Sequence, residues 1–174
     1  MDGRFIPLVF LAGFAGINAG SPLDQCLKGP FKGITETAAD GTVTGKADNR
    51  DWGCVDAVSG GVTLNSAADV PPIPPPTDIC LYNAYPNPAE NGVRIQFSIP
   101  ASAAVRLTIY GENRGHGKPE AFPVRVLVDQ NLVTGVHEVS WGLVDAQGAR
   151  VPAGIYRAVL EVQGHVLFGD IEVR

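Results

Sequence analysis

The chain has 174 residues, 45% hydrophobic and 18% charged, with a formal net charge of −5. That length holds one ordinary domain with a tail, or two small ones, and 21 glycines with 14 prolines predict many turns and few helices. Lys and Arg number 13 against 18 Asp and Glu, and no basic stripe interleaves with aromatics, which argues against a nucleic-acid partner.

At the N-terminus, residues 1–20, Arg4 precedes an apolar run from Phe5 to Ala19 that ends in small residues. This is the pattern of an export signal with Ile17-Asn18-Ala19 as its cleavage site. The run is short for a membrane span, which needs about 20 apolar residues. Retained, it would instead be an association element. Phe5, Ile6, Leu8, Val9, Phe10, Leu11 and Phe14 offer several hundred Å² of apolar surface. At roughly 25 cal/mol per Å² that is on the order of 10 kcal/mol before ordering costs, ample for docking on a protein or along a membrane.

Residues 21–70 are rich in Gly, Ala, Thr and Asp and poor in large apolar side chains. Such a stretch buries little area, so it should be loop-rich and lean on a disulfide or a neighbour. The three cysteines, Cys26, Cys54 and Cys80, lack any metal-ligand spacing, so zinc and haem find no support. In an exported chain they predict one disulfide and one odd thiol, with Cys54 joined to Cys26 or to Cys80 through loops of similar length. Three buried reduced cysteines are the alternative. Asp40-Gly41-Thr42-Val43 with Asp48 and Asp51 lacks the acidic pattern of a calcium loop and reads as a turn. No metal and no cofactor are expected.

Pro71-Pro72-Ile73-Pro74-Pro75-Pro76 must be extended, because each proline fixes its own φ and bars its predecessor from helix. Residues 71–78 are therefore a stiff linker. Beyond it the texture changes to short alternations. Val93, Ile95, Phe97 and Ile99 form one; Val105, Leu107 and Ile109 another; Val124, Val126 and Val128 a third. Val139 and Trp141, Ile155 to Leu160, and Val166 to Val173 follow. Period-two patterning puts one face in a core and one in water. With the stretch Ile79–Tyr85 this makes an all-β fold, an immunoglobulin-like antiparallel β-sandwich of about seven strands over residues 79–174. Gly111–Pro123, with His116, is expected to be a long mobile loop.

The wording of this half resembles a known family. Tyr85-Pro86-Asn87-Pro88 opens it, then Val93 to Phe97 and Val105 to Tyr110, then Gly135 to Trp141, Asp145 to Gly148 and Val151 to Tyr156. The ordered set is similar to the FlgD-type immunoglobulin-like domain, often the C-terminal sorting domain of the type IX secretion system. The resemblance implies a sandwich with Trp141 and Tyr156 in its core and a role in sorting or cell-surface attachment. In physical terms Trp141 fills the space between sheets, and Asp145 to Gly148 is a hairpin in which Gly148 supplies a positive φ.

No Gly-x-Ser-x-Gly elbow, phosphate loop or dinucleotide fingerprint is present. His116, His137 and His165 are scattered, and Asp48 with Asp51 carries no partner motif. No catalytic residue and no small-molecule substrate are expected. Only two Trp and four Tyr disfavour a carbohydrate-binding module. The expected function is that of a non-catalytic exported structural or assembly protein, at a bacterial cell surface, in the periplasm or on a membrane. It would be a subunit of a complex or filament, docking by its sandwich and apolar N-terminus on protein partners. A sorting module and a membrane-tethered accessory subunit are the alternatives.

Overall fold

The structure, a computed structural model, describes residues 20–28, 30–31, 33–48, 76–113 and 119–174, and the backbone of residues 52–55 and 62–64. Within the C-terminal half the alternating runs form strands that lie where the period-two pattern puts them. They are β3 (Cys80–Leu81), β4 (Val93–Ile99), β5 (Ala103–Asn113), β6 (Glu120–Leu132), β7 (Gly135–Trp141), β8 (Gly154–Val162) and β9 (His165–Val173). Before them come a short helix α1 (Pro22–Cys26) and two strands, β1 (Trp52–Val55) and β2 (Val62–Leu64). All strand pairs are antiparallel.

Two sheets result, one in the order β2-β1-β9-β8-β5-β6 and one in the order β3-β4-β7. β3 to β9 alone make a four-plus-three sandwich, with crossings between sheets at β4–β5, β6–β7 and β7–β8. This is the immunoglobulin-like all-β fold. Its core is built from Ile95, Phe97, Ile99, Leu107, Ile109, Trp141, Leu143, Leu160 and Ile171 among others. Each of these leaves water almost completely, at about 25 cal/mol per Å² of apolar surface removed.

Three turns carry particular chemistry. Asp145 Oδ1 accepts from the backbone of Gln147 and Ala149, each at 2.9 Å, and Gly148 closes the turn at φ +84°. The β8–β9 hairpin turns on Gln163 and Gly164 with φ of 50° and 81°, the pair of positive values that a two-residue hairpin requires. Tyr156 donates its hydroxyl to Pro152 O at 2.8 Å, pinning the entry to β8 to the loop before it.

Gly111–Pro123 differs from the expected long loop. The β5–β6 ladder continues through it to Asn113 opposite Glu120, and residues 114–118 lie outside the described residues. Gly111 is a strand glycine beneath its partner Phe122. A Cβ there would fall 2.8 Å from Phe122 Cζ and 3.1 Å from Val124 Cγ2. Glycine inside a strand often marks such a close approach.

The stretch expected to be loop-rich contains α1, β1 and β2. Ser21 caps α1 reciprocally: its hydroxyl accepts from Asp24 N at 3.1 Å and its own N–H donates to Asp24 Oδ2 at 3.0 Å, a capping box. The helix is one turn and a half, too short for hydrophobic periodicity to register. β1 pairs with β9 from Trp52 opposite Gly169 to Val55 opposite Val166.

Candidate functional site

The densest constellation of charged and aromatic groups lies on the outer face of β8 and β9. Arg157 and Asp170 face each other across the hairpin. Arg157 Nε donates to Asp170 Oδ1 at 2.6 Å and Nη2 to Oδ2 at 2.8 Å, a bidentate fork. Nη1 donates to Cys26 O at the end of α1, at 2.6 Å. The guanidinium carbon lies 4.4 Å from the Phe31 ring centre and 4.3 Å from that of Phe168, so the cation is flanked by two aromatic faces. Both charged residues are buried. Burial works against the charged guanidinium, but the hydrogen bonds and charge of Asp170 outweigh it and raise the Arg157 pKa.

Around this node a second apolar cluster joins Cys26 and Phe31 to Tyr110, Val159, Val166 and Phe168. Phe31 N donates to Glu112 Oε1 at 3.1 Å. Further along, Thr37 exchanges backbone hydrogen bonds with Asn87 at 2.8 and 3.2 Å, and its hydroxyl donates to Ala84 O at 2.7 Å. Asn87 is itself buried: its Nδ2 donates to Asp170 O at 3.1 Å and its Oδ1 accepts from Glu172 N at 2.9 Å.

The outer face of the smaller sheet carries an exposed polar network centred on Glu138. Glu138 Oε2 accepts from Tyr85 Oη at 2.6 Å and from Gln96 Nε2 at 2.8 Å, with Arg94 Nε 3.8 Å from Oε1. The Tyr85 hydroxyl, then Gln96 and Arg94, hold the Glu138 carboxyl below its ordinary pKa. Three clefts are shallow and mixed in lining. One of about 560 Å³ lies between α1 and the β8–β9 turn and includes Leu23, Val162 and His165. Another, of about 380 Å³, lies beside Phe122 and Tyr156. The third, of about 320 Å³, lies beside Arg94 and Ser140.

Among the described residues no three His, Cys, Asp or Glu gather as a metal site, and no helix is long and apolar enough to cross a membrane. Asp40 Oδ1 is occupied by Thr42, accepting from its N at 3.0 Å and its Oγ1 at 2.7 Å. His137 stacks on Phe97 at 5.3 Å and its Nε2 lies 2.9 Å from Val133 O.

The residues singled out from sequence fall in different places. Phe5, Ile6, Leu8, Val9, Phe10, Leu11 and Phe14, like His116 and Asp51, lie outside the described residues. Trp141 is in the main core, edge-on to Tyr156 at 5.3 Å, with Nε1 donating to Val144 O at 2.9 Å. Cys26 is buried at the end of α1 and Cys80 is half-buried on β3; they are not bonded to each other, and the Cys80 thiol is free. The backbone of Cys54 stands opposite Leu167 in the β1–β9 ladder, and Cys26 packs with Val166 and Phe168. Burial, opposed by Ser98, raises the Cys80 thiol pKa.

Sequence reasoning missed Arg157, Asp170 and Phe31. A partial signal existed: Arg157 and Asp170 stand equally far from the Gln163-Gly164 turn, which makes them cross-strand partners, although Glu161 on β8 and Glu172 on β9 carry charge as well.

No protein-family model and no curated protein matches the chain. Among solved structures, the Pseudomonas fluorescens alkylpurine DNA glycosylase AlkC bound to abasic-site DNA is similar at 18% identity and a TM-score of 0.34. That match covers 55% of this chain and 30% of the glycosylase. A β-glucosidase from Listeria innocua in complex with gluconolactone is similar at 14% identity and a TM-score of 0.34, over 55% of this chain and 16% of the enzyme. The chain thus spans less than a third of either of these proteins.

Proposed function

We propose that the chain is a non-catalytic, exported structural or assembly protein that docks on protein partners, a second copy included, through its sandwich and its apolar N-terminal segment. The observation that carries this reading is the edge of the larger sheet at β6. Among the described residues β6 pairs only with β5. Its first half is covered, since Ala146 N donates to Val124 O at 3.0 Å and Arg125 Nη1 to Asp145 O at 2.6 Å. From Val126 to Leu132 the edge is left to a neighbour, with Val126 itself exposed and Val133 and Val136 exposed just beyond. An unpaired edge of this kind is a docking site for a strand. The test is removal of residues 1–19. Expected is a folded monomer that no longer assembles or co-purifies with partners, by light scattering and pull-down. A truncated chain that assembles like the full one refutes the assembly role of the segment.

A second reading, the type IX sorting or attachment module, is favoured by the placing of its signature residues. Tyr85 to Pro88, Asp145 to Gly148 and Pro152 to Gly154 all fall at turns and strand entries of the sandwich. Fusion of residues 79–174 to a reporter in a bacterium with that secretion system tests it; a reporter retained in the periplasm rejects it.

A further inference from the structure

Among the described residues the main core draws every one of its members, partly buried ones included, from positions 79–173. The N-terminal segment contributes none among the described residues; it meets the sandwich through the separate cluster around Arg157, the β1–β9 ladder and the backbone pair of Thr37 with Asn87. The contacts are those of peptide recognition rather than of a shared core. A strand is added to the first half of the β9 edge, Val166 to Gly169, over four register pairs, which supplies backbone hydrogen bonds whatever the side chains. It lies beside the second half of that edge, which Asn87 and Ala89 already bond. An aromatic anchor, Phe31, then lies on a guanidinium already held by Asp170. The donor Nη1, which Asp170 does not take, meets a backbone carbonyl of the incoming segment. Arg and aromatic residues in such desolvated spots are where binding energy concentrates.

We infer that the outer face of β8–β9 is a recognition site for an extended, aromatic-bearing segment, and that the chain fills it in cis with its own residues 20–55. The site is preorganised from the sandwich side, because Arg157 is forked to Asp170 and backed by Phe168 on elements that belong to the closed hairpin. The proline-rich stretch 71–76 serves as the tether that keeps the ligand at high effective concentration. This goes beyond the assembly reading, and its test needs neither residues 1–19 nor self-association.

The experiment inserts a protease site between residues 65 and 75 of the full chain and cleaves it after folding. The two pieces are expected to stay together through gel filtration. A labelled N-terminal piece is expected to be displaced by excess synthetic peptide of residues 20–55. Phe31→Ala, which leaves the buried Arg157–Asp170 pair intact, is expected to weaken retention about tenfold or more. The state of the sandwich is followed by Trp141 fluorescence in a Trp52→Phe background, and it is expected to stay native when the peptide is washed away. Pieces that separate on cleavage, or a labelled piece that peptide cannot displace, overturn the inference. So does a sandwich that unfolds once the segment leaves, because the segment would then be part of the fold and not its ligand.

Discussion

Trp141 offers the sharpest test of how the sandwich is held together. Among the described residues it is the largest fully buried side chain, 1% exposed, edge-on to Tyr156, and its indole N–H donates to Val144 O at the start of the Asp145 turn. Trp141→Ala removes the ring and leaves a cavity between two sheets that are each held in register by their own ladders, so collapse is limited. Truncations of this size cost about 3–5 kcal/mol, and the orphaned carbonyl of Val144 adds about 1 kcal/mol within that range. For a chain of this length the melting temperature should fall by about 10 °C. Trp141→Phe separates the two causes: it keeps most of the packing and loses the hydrogen bond, for a cost of about 1–2 kcal/mol. Urea unfolding followed by circular dichroism, with the slope unchanged, measures both. The reasoning is refuted if Trp141→Ala costs under about 1 kcal/mol, or if the phenylalanine variant is as unstable as the alanine one.

Three further outcomes follow from named contacts. Asn87→Ala should cost about 2–3 kcal/mol in the same urea assay, because it strips partners from two backbone groups of β9; a neutral variant would mean that water replaces the amide. Glu138 has a lowered folded pKa, so its stabilisation is present above the unfolded value near pH 4.3 and fades as pH falls through the folded value. Wild type should therefore be more stable than Glu138→Gln near neutrality, and the gap should close on acidification below about pH 4.3; a gap independent of pH would show that the carboxylate charge plays no part. The Cys80 thiol, free and with a raised pKa, should alkylate completely but more slowly than an exposed cysteine at mildly alkaline pH, by mass mapping. A Cys54–Cys80 peptide in native protein would overturn that.

Period two was legible wherever the strands have one wet face. Val93 to Ile99 and Val105 to Ile109 declared both their type and their buried side, and with them Trp141 and the turn at Asp145 to Gly148. Gly111 shows the limit, since a glycine that makes room for Phe122 has the same letter as one that makes a loop. The candidate site was not assembled from sequence, because Arg157 and Asp170 share their strands with Glu161 and Glu172, and nothing local marks the first pair as buried. The turn at Asp40, by contrast, was legible, whereas Asp48, read with Asp51 as solvated, is buried and donates its N–H to Thr35 Oγ1.

What the sequence determined by itself was the class of fold, the seven strands of the C-terminal half and the inward rows of most of them. Those depend on alternation and turn chemistry, which act over a few residues. β6 departs, because the irregular β5–β6 register leaves Val126 exposed between buried Val124 and Val128 and turns Leu127 toward the core. Only the tertiary structure decided that β1 adds to β9, that the guanidinium of Arg157 takes the carbonyl of Cys26, and that Phe31 covers it. These join residues more than a hundred positions apart, or a short and weakly patterned segment to a strong sheet. Local preference there is too slight to declare a partner, and the free energy of docking comes from surface that exists only once the sandwich has formed.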